Sequence, residues 1–451
     1  MTLIVPPFQV PDEIAHWKTA MYRSSFAAEK CQPGMGLPDQ FDYEKVWRGS
    51  PIGFRKIQTT YGCLDAEFYY GNFLTYPGIW LTRWWANAGS ESRVWMILFY
   101  LTRLFQGICV GAALLYLYKS VQVPGVATLT VLCLSPLFLQ QSFGVTADGV
   151  VLSYSILLIA WLLNNRPFRL AKKRDYWLEW ITLGFGFIAS TTKAPILLAG
   201  LFVLGLAWMR GNPMRNSKWI HKNSLLFSMI AVWIGVTAYC SHVSFGKALA
   251  FDQFVPGFKR VLQFGPVDPS AQIEYLKHHI SLWPSIFLAP LGEFFHLQSY
   301  TGHMAWWTMT SSKLTIRLWQ FLVAAVLLLE LRRVRPSRVN GKVALLTVLF
   351  GLIVLVSAVA QELAVYLTYT PVGYPQPLGL QARYFYPLLL LTFAYLFWLL
   401  HRGRTPAGNT KAANIPVAET RAGQIGLWFL ILLYLPLWMI SIFVDFAFTY
   451  H

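Results

Sequence analysis

The chain has 451 residues, of which 55% are hydrophobic and 13% charged, whereas a soluble domain carries about 25% charged residues. This balance excludes an ordinary soluble domain and predicts an all-α polytopic membrane protein that contacts the lipid bilayer. The net charge of +17 does not indicate a nucleic-acid partner, because the basic residues cluster in short loops between apolar runs.

The N-terminal segment, residues 1–93, is mixed in character and is predicted to form a loop with juxtamembrane helices. Asp12 follows a proline and suits a helix N-cap, and Glu13 suits the first turn. His16 lies one turn from Asp12, so the two either form an ion pair or contribute to a site. Cys31 and Cys63 form a disulfide or remain free thiols.

Apolar runs long enough to cross a bilayer then follow along the chain, since a spanning helix needs about 20 residues. The pair near residue 194 is short and is interrupted by Lys193-Ala194-Pro195. The ten predicted spans are 94–118, 124–142, 148–164, 177–193, 195–209, 223–243, 314–331, 343–362, 384–400 and 425–446.

The basic loops predict the orientation of these spans. Loops 165–176, 210–222, 332–342 and 401–424 are rich in Lys and Arg and fall on one side when the spans alternate. That side is predicted to be cytoplasmic. Residues 1–93 are then extracytoplasmic. Since only MTLIV precedes Pro6, we expect the start of the chain to be truncated or misassigned, without its first transmembrane helix.

Four polar clusters are predicted at extracytoplasmic helix ends, where they would form one cleft. After the Asp12 cluster come Thr146-Ala147-Asp148, Thr191-Thr192-Lys193 and Gly379-Leu380-Gln381-Ala382-Arg383-Tyr384. Carboxylates serve as bases, and Lys and Arg bind phosphate oxygens. Each cluster has a plainer explanation, since Asp148 suits a helix cap, Lys193 a snorkelling side chain and Arg383 a membrane anchor.

The stretch 244–312, between the transmembrane segments 94–243 and 313–451, is rich in aromatic residues and histidines. Glu293 and His296 have an i,i+3 spacing that suits metal ligands, although an interfacial amphipathic segment explains the same pattern. Residues 284–292 are too short to span and are interpreted as re-entrant. The only cofactor that the sequence suggests is a divalent metal, which Glu293 and His296 would bind.

Three motifs resemble a known bacterial family of membrane proteins. PPFQVPDEIAH, the TAD turn at Asp148 and LGLQARYFYPLLLL are similar to motifs of the family called domain of unknown function 2142. Ala382 stands where that family usually has glycine. The family is similar in layout to the GT-C class of glycosyltransferases, which use a polyprenyl-phosphate sugar and an acidic motif in the first extracytoplasmic loop.

The resemblance implies a glycosyltransferase of the bacterial inner membrane, acting on a cell-envelope glycan or lipid-linked acceptor. Asp12, Glu13 and Asp148 would be catalytic, and Arg383 and Lys193 would bind the donor phosphate. The neighbouring polar side chains would contact substrate, namely His16, Gln381 and Tyr384. The alternatives are a transporter or flippase of a lipid-linked glycan, favoured by Arg103 inside an apolar span, and a noncatalytic subunit of a polysaccharide assembly system.

Overall fold

The computed structural model describes the membrane-spanning helices around the TAD turn and the Arg383 segment. Described are residues 92–120, 125–144, 147–163, 268–288, 303–304, 309–310, 313–332, 341–378 and 380–401, with positions 231, 234, 235, 437 and 440. This part of the chain is helical apart from one pair of two-residue antiparallel strands.

The helices and strands of this part follow in chain order. They are α1 (Ser92–Ser120), α2 (Val126–Leu132), α3 (Pro136–Phe143), α4 (Ala147–Leu163), α5 (Pro269–His278), α6 (Trp283–Phe287), β1 (His303–Met304), β2 (Met309–Thr310), α7 (Lys313–Leu331), α8 (Gly341–Tyr369) and α9 (Tyr386–His401). Single 3-10 turns at Ile280–Leu282 and Ala382–Tyr384 precede α6 and α9.

Helix α4 lies at the centre of the described core. It is apolar on all sides after Asp148, as expected of a helix that is surrounded by protein. Every α4 side chain that the structure describes is buried, except that of Val150. Helices α1 and α9 pack against it, so the polar residues on these three helices are brought together by apolar packing.

Helix α1 has its apolar side outward and its polar side inward. Leu104 and Ile108 are 46% and 58% exposed, whereas Arg103 and Gln106 are 1% and 5% exposed. Water would favour the reverse arrangement, but lipid favours this one. Tyr100–Tyr118 of α1 and Val343–Leu367 of α8 are both long and apolar enough to cross a membrane.

The predicted span 124–142 is instead two short helices. Helices α2 and α3 meet at an angle of 74° and are a third candidate span only if taken together. Pro136 begins α3, and the Ser135 hydroxyl caps it by accepting a hydrogen bond from Phe138 N at 3.1 Å. Proline cannot donate to the preceding turn, so the helix restarts here. Hydropathy alone does not show this break.

The last carbonyl groups of α2 accept backbone hydrogen bonds from the turn that follows, and they also accept hydrogen bonds from distant helices. Trp319 Nε1 of α7 donates to the Val131 carbonyl at 3.2 Å, and the Tyr386 hydroxyl of α9 donates to the Leu132 carbonyl. Breaks in apolar helices are tolerated where neighbouring side chains supply such partners. Two hydrogen bonds, one from α7 and one from α9, therefore connect the bent α2–α3 pair to the core.

The opposite end of α2 is capped by a carboxylate from α7. Glu330 accepts hydrogen bonds from Gly125 N at 2.7 Å, Ala127 N at 3.1 Å, and both the backbone N and the hydroxyl of Thr128. Gly125 has φ 106°, and a Cβ there would lie 2.2 Å from the Phe397 ring of α9. Glycine is therefore required at the start of α2.

Helix α5 docks beside the end of α8. Asp268 caps it through Ser270 N and Ala271 N, and Gln272 accepts a hydrogen bond from Gly373 N at 2.9 Å. On its exposed side, hydrogen bonds from Lys277 and then His278 lower the pKa of Glu274. The residues for which an amphipathic segment is predicted, around Glu293 and His296, lie outside the described residues, as does most of 244–312.

Five of the other predicted spans correspond to described helices. Spans 94–118, 148–164, 314–331 and 384–400 agree with α1, α4, α7 and α9 to within about a turn, and span 343–362 continues in α8 to Tyr369. Spans 177–193 and 195–209 fall outside the described residues, and spans 223–243 and 425–446 are described only at the helical positions 231, 234, 235, 437 and 440. The helical, apolar architecture is confirmed, and the count of ten spans stays a prediction.

Candidate functional site

Two of the predicted site residues meet inside the helix bundle. Asp148 Oδ2 lies 3.7 Å from Arg383 Nε, and the side chains are 10% and 2% exposed. Asp148 is in the first turn of α4, and Arg383 is in the 3-10 turn that leads into α9. The TAD turn and the LGLQARY segment, predicted to share one end of the bundle, therefore form a buried ion pair.

The position of Arg383 is fixed from the start of α9. The Tyr386 hydroxyl lies 2.9 Å from Ser135 Oγ, and its ring centroid lies 5.5 Å from that of Phe138. Both partners belong to the α2–α3 break. Because Tyr386 is 2% exposed and anchored to this break, the turn that carries Arg383 is held against α3 and α4.

Of the two predicted site residues beside Arg383, Tyr384 contacts its guanidinium group, whereas no contact of the Gln381 side chain with it is observed. Arg383 Nη2 donates to the Tyr384 hydroxyl at 3.2 Å, and the guanidinium carbon lies 5.1 Å from the Tyr384 ring centroid. This contact aligns the guanidinium group with an aromatic ring. Gln381 is half-buried and extended, and its side chain does not cap the 3-10 turn.

Helix α1 closes the site from the other side of α4. A Cβ at Gly149, the residue after Asp148, would lie 1.9 Å from Gln106 Nε2. Glycine thus lets the Gln106 amide approach the first turn of α4. Arg103 precedes Gln106 by one turn on the same face and lies 5.9 Å from the Tyr100 ring centroid. The Gln106 amide therefore lies against the first turn of α4, and Arg103 is buried one turn before it on α1.

The arrangement is suited to binding an anion. Helices α4 and α9 both start at the ion pair, and the N-terminal end of a helix carries partial positive charge. Arg383 adds a planar guanidinium group whose N–H groups match two phosphate or carboxylate oxygens. The Asp148 carboxylate lies at ion-pair distance from this group, 3.7 Å from Nε.

The remaining predicted site residues lie outside the described residues. These are Asp12, Glu13, His16, Lys193, the disulfide candidates Cys31 and Cys63, and the metal candidates Glu293 and His296. Among the residues that the structure describes, no group of three or more His, Cys, Asp or Glu side chains could hold a metal ion. The roles of these residues stay predictions.

The structure adds buried polar residues that the sequence patterns did not single out. Gln106 joins the site, Glu330 caps α2, and Glu362 and Gln140 lie inside the bundle at 0% and 3% exposure. The available signal was the few polar residues inside each apolar run. Hydropathy averages over such residues, so they pass unnoticed unless they are inspected one at a time.

Residues 90–392, more than half of the chain, match the model of a family described as "Predicted membrane protein (DUF2142)". This matched region contains every helix from α1 to α8 and the Asp148–Arg383 pair. No curated protein and no solved structure matches the chain.

Proposed function

Because the chain belongs to the DUF2142 family of predicted membrane proteins, we propose that it is a membrane glycosyltransferase of GT-C type. It transfers a sugar from a polyprenyl-phosphate donor to a cell-envelope glycan or lipid-linked acceptor at the extracytoplasmic face of the bacterial inner membrane. The buried ion pair between Asp148 and Arg383 is the observation that carries this proposal. It supports the proposal because it places a guanidinium group, which can bind phosphate oxygens, at the end of an apolar helix bundle.

The proposed reaction is a single displacement at the anomeric carbon. The acceptor hydroxyl loses its proton to Asp12 and forms a bond to that carbon, while the bond from the carbon to the donor phosphate oxygen breaks. The products are the glycosylated acceptor, with inverted configuration, and polyprenyl phosphate. General-base catalysis and stabilisation of the leaving phosphate are the two contributions required of the protein.

Arg383 is assigned to the leaving phosphate. Its guanidinium group stabilises the charge that develops as the bond to the sugar breaks, and Lys193 contributes a second cation. Asp148 orients Arg383, and its carboxylate is the second acidic group of the site. The apolar surfaces of α1 and α8 are suited to contact with the polyprenyl chain.

The test is sugar transfer by the purified full chain in lipid nanodiscs. A radiolabelled polyprenyl-phosphate sugar and an acceptor glycan are supplied, and label in the glycan is measured. Arg383→Gln is expected to reduce transfer by at least about 100-fold, the usual loss for a group that stabilises transition-state charge. Arg317→Gln, an exposed arginine of α7, is the matched control and is expected to transfer normally. Equal activity of the two variants would contradict the proposal.

A lipid-linked glycan transporter is the second candidate. Arg103 is 1% exposed within the candidate span Tyr100–Tyr118, and the α2–α3 pair is a bent, discontinuous helix. Buried charges and broken helices are typical of transporters. In the same nanodisc preparation and in liposomes, movement of a labelled lipid-linked sugar between leaflets that is lost in Arg103→Gln, without any sugar transfer, would favour this function.

A further inference from the structure

Glu362 is a buried carboxyl group that the proposed reaction does not use. It lies in α8 within the apolar segment Val343–Leu367 and is 0% exposed. Neither of its carboxyl oxygens has a hydrogen-bond partner among the residues that the structure describes. Burial without a donor disfavours the ionised form of a carboxyl group relative to the neutral acid.

Glu330 shows what the same side chain does elsewhere in this bundle. It is 7% exposed, and its oxygens accept three backbone hydrogen bonds at the start of α2 and a fourth from the Thr128 hydroxyl. The buried Glu330 thus has four hydrogen-bond donors, whereas the buried Glu362 has none among the described residues. Glu362 is thus not explained as a cap or an ion-pair partner within this part of the chain.

Elements that pack against α8 carry titratable and charged groups. Helices α5, α6 and α9 pack against α8. On α5, Glu274 pairs with Lys277 and His278 on the exposed surface. The titratable and charged residues on or beside these elements and in the adjoining part of α8 are Asp268, Glu274, Tyr275, Lys277, His278, His279, Tyr366, Arg383, Tyr386, Tyr395 and His401, and α6 has none.

Helices α5 and α6 rest on the face of α8 that carries Tyr366 and Leu367. Tyr366 follows Glu362 by one turn on this face. It is 0% exposed and donates its hydroxyl to the Tyr374 carbonyl at 2.7 Å. Tyr366 packs in one apolar cluster with Leu276 of α5 and Ile286 of α6. A negative charge one turn away would disfavour this apolar contact.

We propose that Glu362 is a proton-binding site in the membrane-spanning part of α8, and that release of its proton loosens α8 from α5 and α6. With the proton bound, the neutral acid is compatible with the apolar cluster. When the proton passes to solvent, the carboxylate that remains needs water or a donor, which the closed contact does not supply. The contact of α8 with α5 and α6 is therefore intact at low pH and is lost as the pH rises.

The first test is chemical labelling of the full chain in lipid nanodiscs. Dicyclohexylcarbodiimide reacts with protonated carboxyl groups in apolar surroundings, and the adduct is located by mass spectrometry. Labelling of Glu362 is expected at neutral pH and falls by about tenfold per pH unit above its midpoint. Glu330, with its oxygens occupied, is expected to label several-fold less, and Glu362→Gln loses the adduct. Absence of labelling, or labelling that does not change with pH, would overturn the proposal.

The second test measures the consequence for packing. Hydrogen–deuterium exchange of residues 268–288, corrected for the intrinsic effect of pH, is expected to rise several-fold in the wild-type chain as Glu362 loses its proton. Glu362→Gln, which keeps the shape but cannot ionise, is expected to remain protected, while the control Glu274→Gln rises as the wild type does. An equal rise in Glu362→Gln would show that the loosening has another cause.

Discussion

Replacement of Glu330 by alanine is expected to be among the most destabilising single changes in the described bundle. The carboxylate accepts four hydrogen bonds at the start of α2, and Gly125 and Thr128 are buried there. Hydrogen bonds to a charged group contribute about 1.5–3 kcal/mol each, and relaxation of the freed helix end recovers part of the loss. We expect a loss of about 4 kcal/mol, because four donors lose their acceptor at about 1–3 kcal/mol each before relaxation.

The assay is reversible unfolding of the purified chain in mixed micelles, with two graded variants beside the alanine. Glu330→Gln keeps the shape and one acceptor oxygen and is expected to cost about 2 kcal/mol. Thr128→Val removes one donor and is expected to cost about 1 kcal/mol. A loss below about 1 kcal/mol for Glu330→Ala would refute the view that this carboxylate holds the start of α2.

Three further outcomes follow from the packing. Tyr386→Phe removes the hydroxyl that donates to the Leu132 carbonyl and is expected to cost about 2 kcal/mol in the same unfolding assay. Unchanged stability of this variant would contradict the anchoring role of Tyr386. Gly125→Ala places a Cβ at φ 106° against an aromatic ring and is expected to cost about 2 kcal/mol or more, so unchanged stability would contradict the turn geometry. The hydrogen bond from Lys277 lowers the pKa of Glu274. The ionised Glu274 therefore stabilises the folded chain at pH values above the ordinary carboxyl pKa, and this stabilisation is lost as the pH falls through the lowered pKa. Amide exchange in α5 should then increase at acid pH in the wild type but not in Glu274→Gln.

The helix positions were largely predictable because lipid imposes a length and a polarity on each span. The predicted starts at residues 94, 148 and 314 lie within two residues of the observed starts of α1, α4 and α7. The α2–α3 break was not predicted, because hydropathy averaged over the run passes over the Ser135-Pro136 signal that restarts the helix. What makes the break tolerable is hydrogen bonding from Trp319 and Tyr386, which are distant in sequence.

The same contrast applies to the candidate site. Alternation of spans predicted that Asp148 and Arg383 lie at one end of the bundle, and the structure brings them to 3.7 Å. Burial of both side chains, and the approach of Gln106 to Gly149, depend on how α1, α4 and α9 pack. Such details follow from side-chain volumes in three dimensions rather than from periodicity along one helix.

The most direct test of the proposed function is a double-mutant cycle on sugar transfer with Asp148→Asn, Arg383→Gln and the combined variant. If Asp148 acts by positioning Arg383 at the donor phosphate, each single change lowers the transfer rate by at least about 100-fold, and the combined change is little worse than Arg383→Gln alone. Transfer at the wild-type rate in Arg383→Gln, or losses that multiply in the combined variant, would contradict this account.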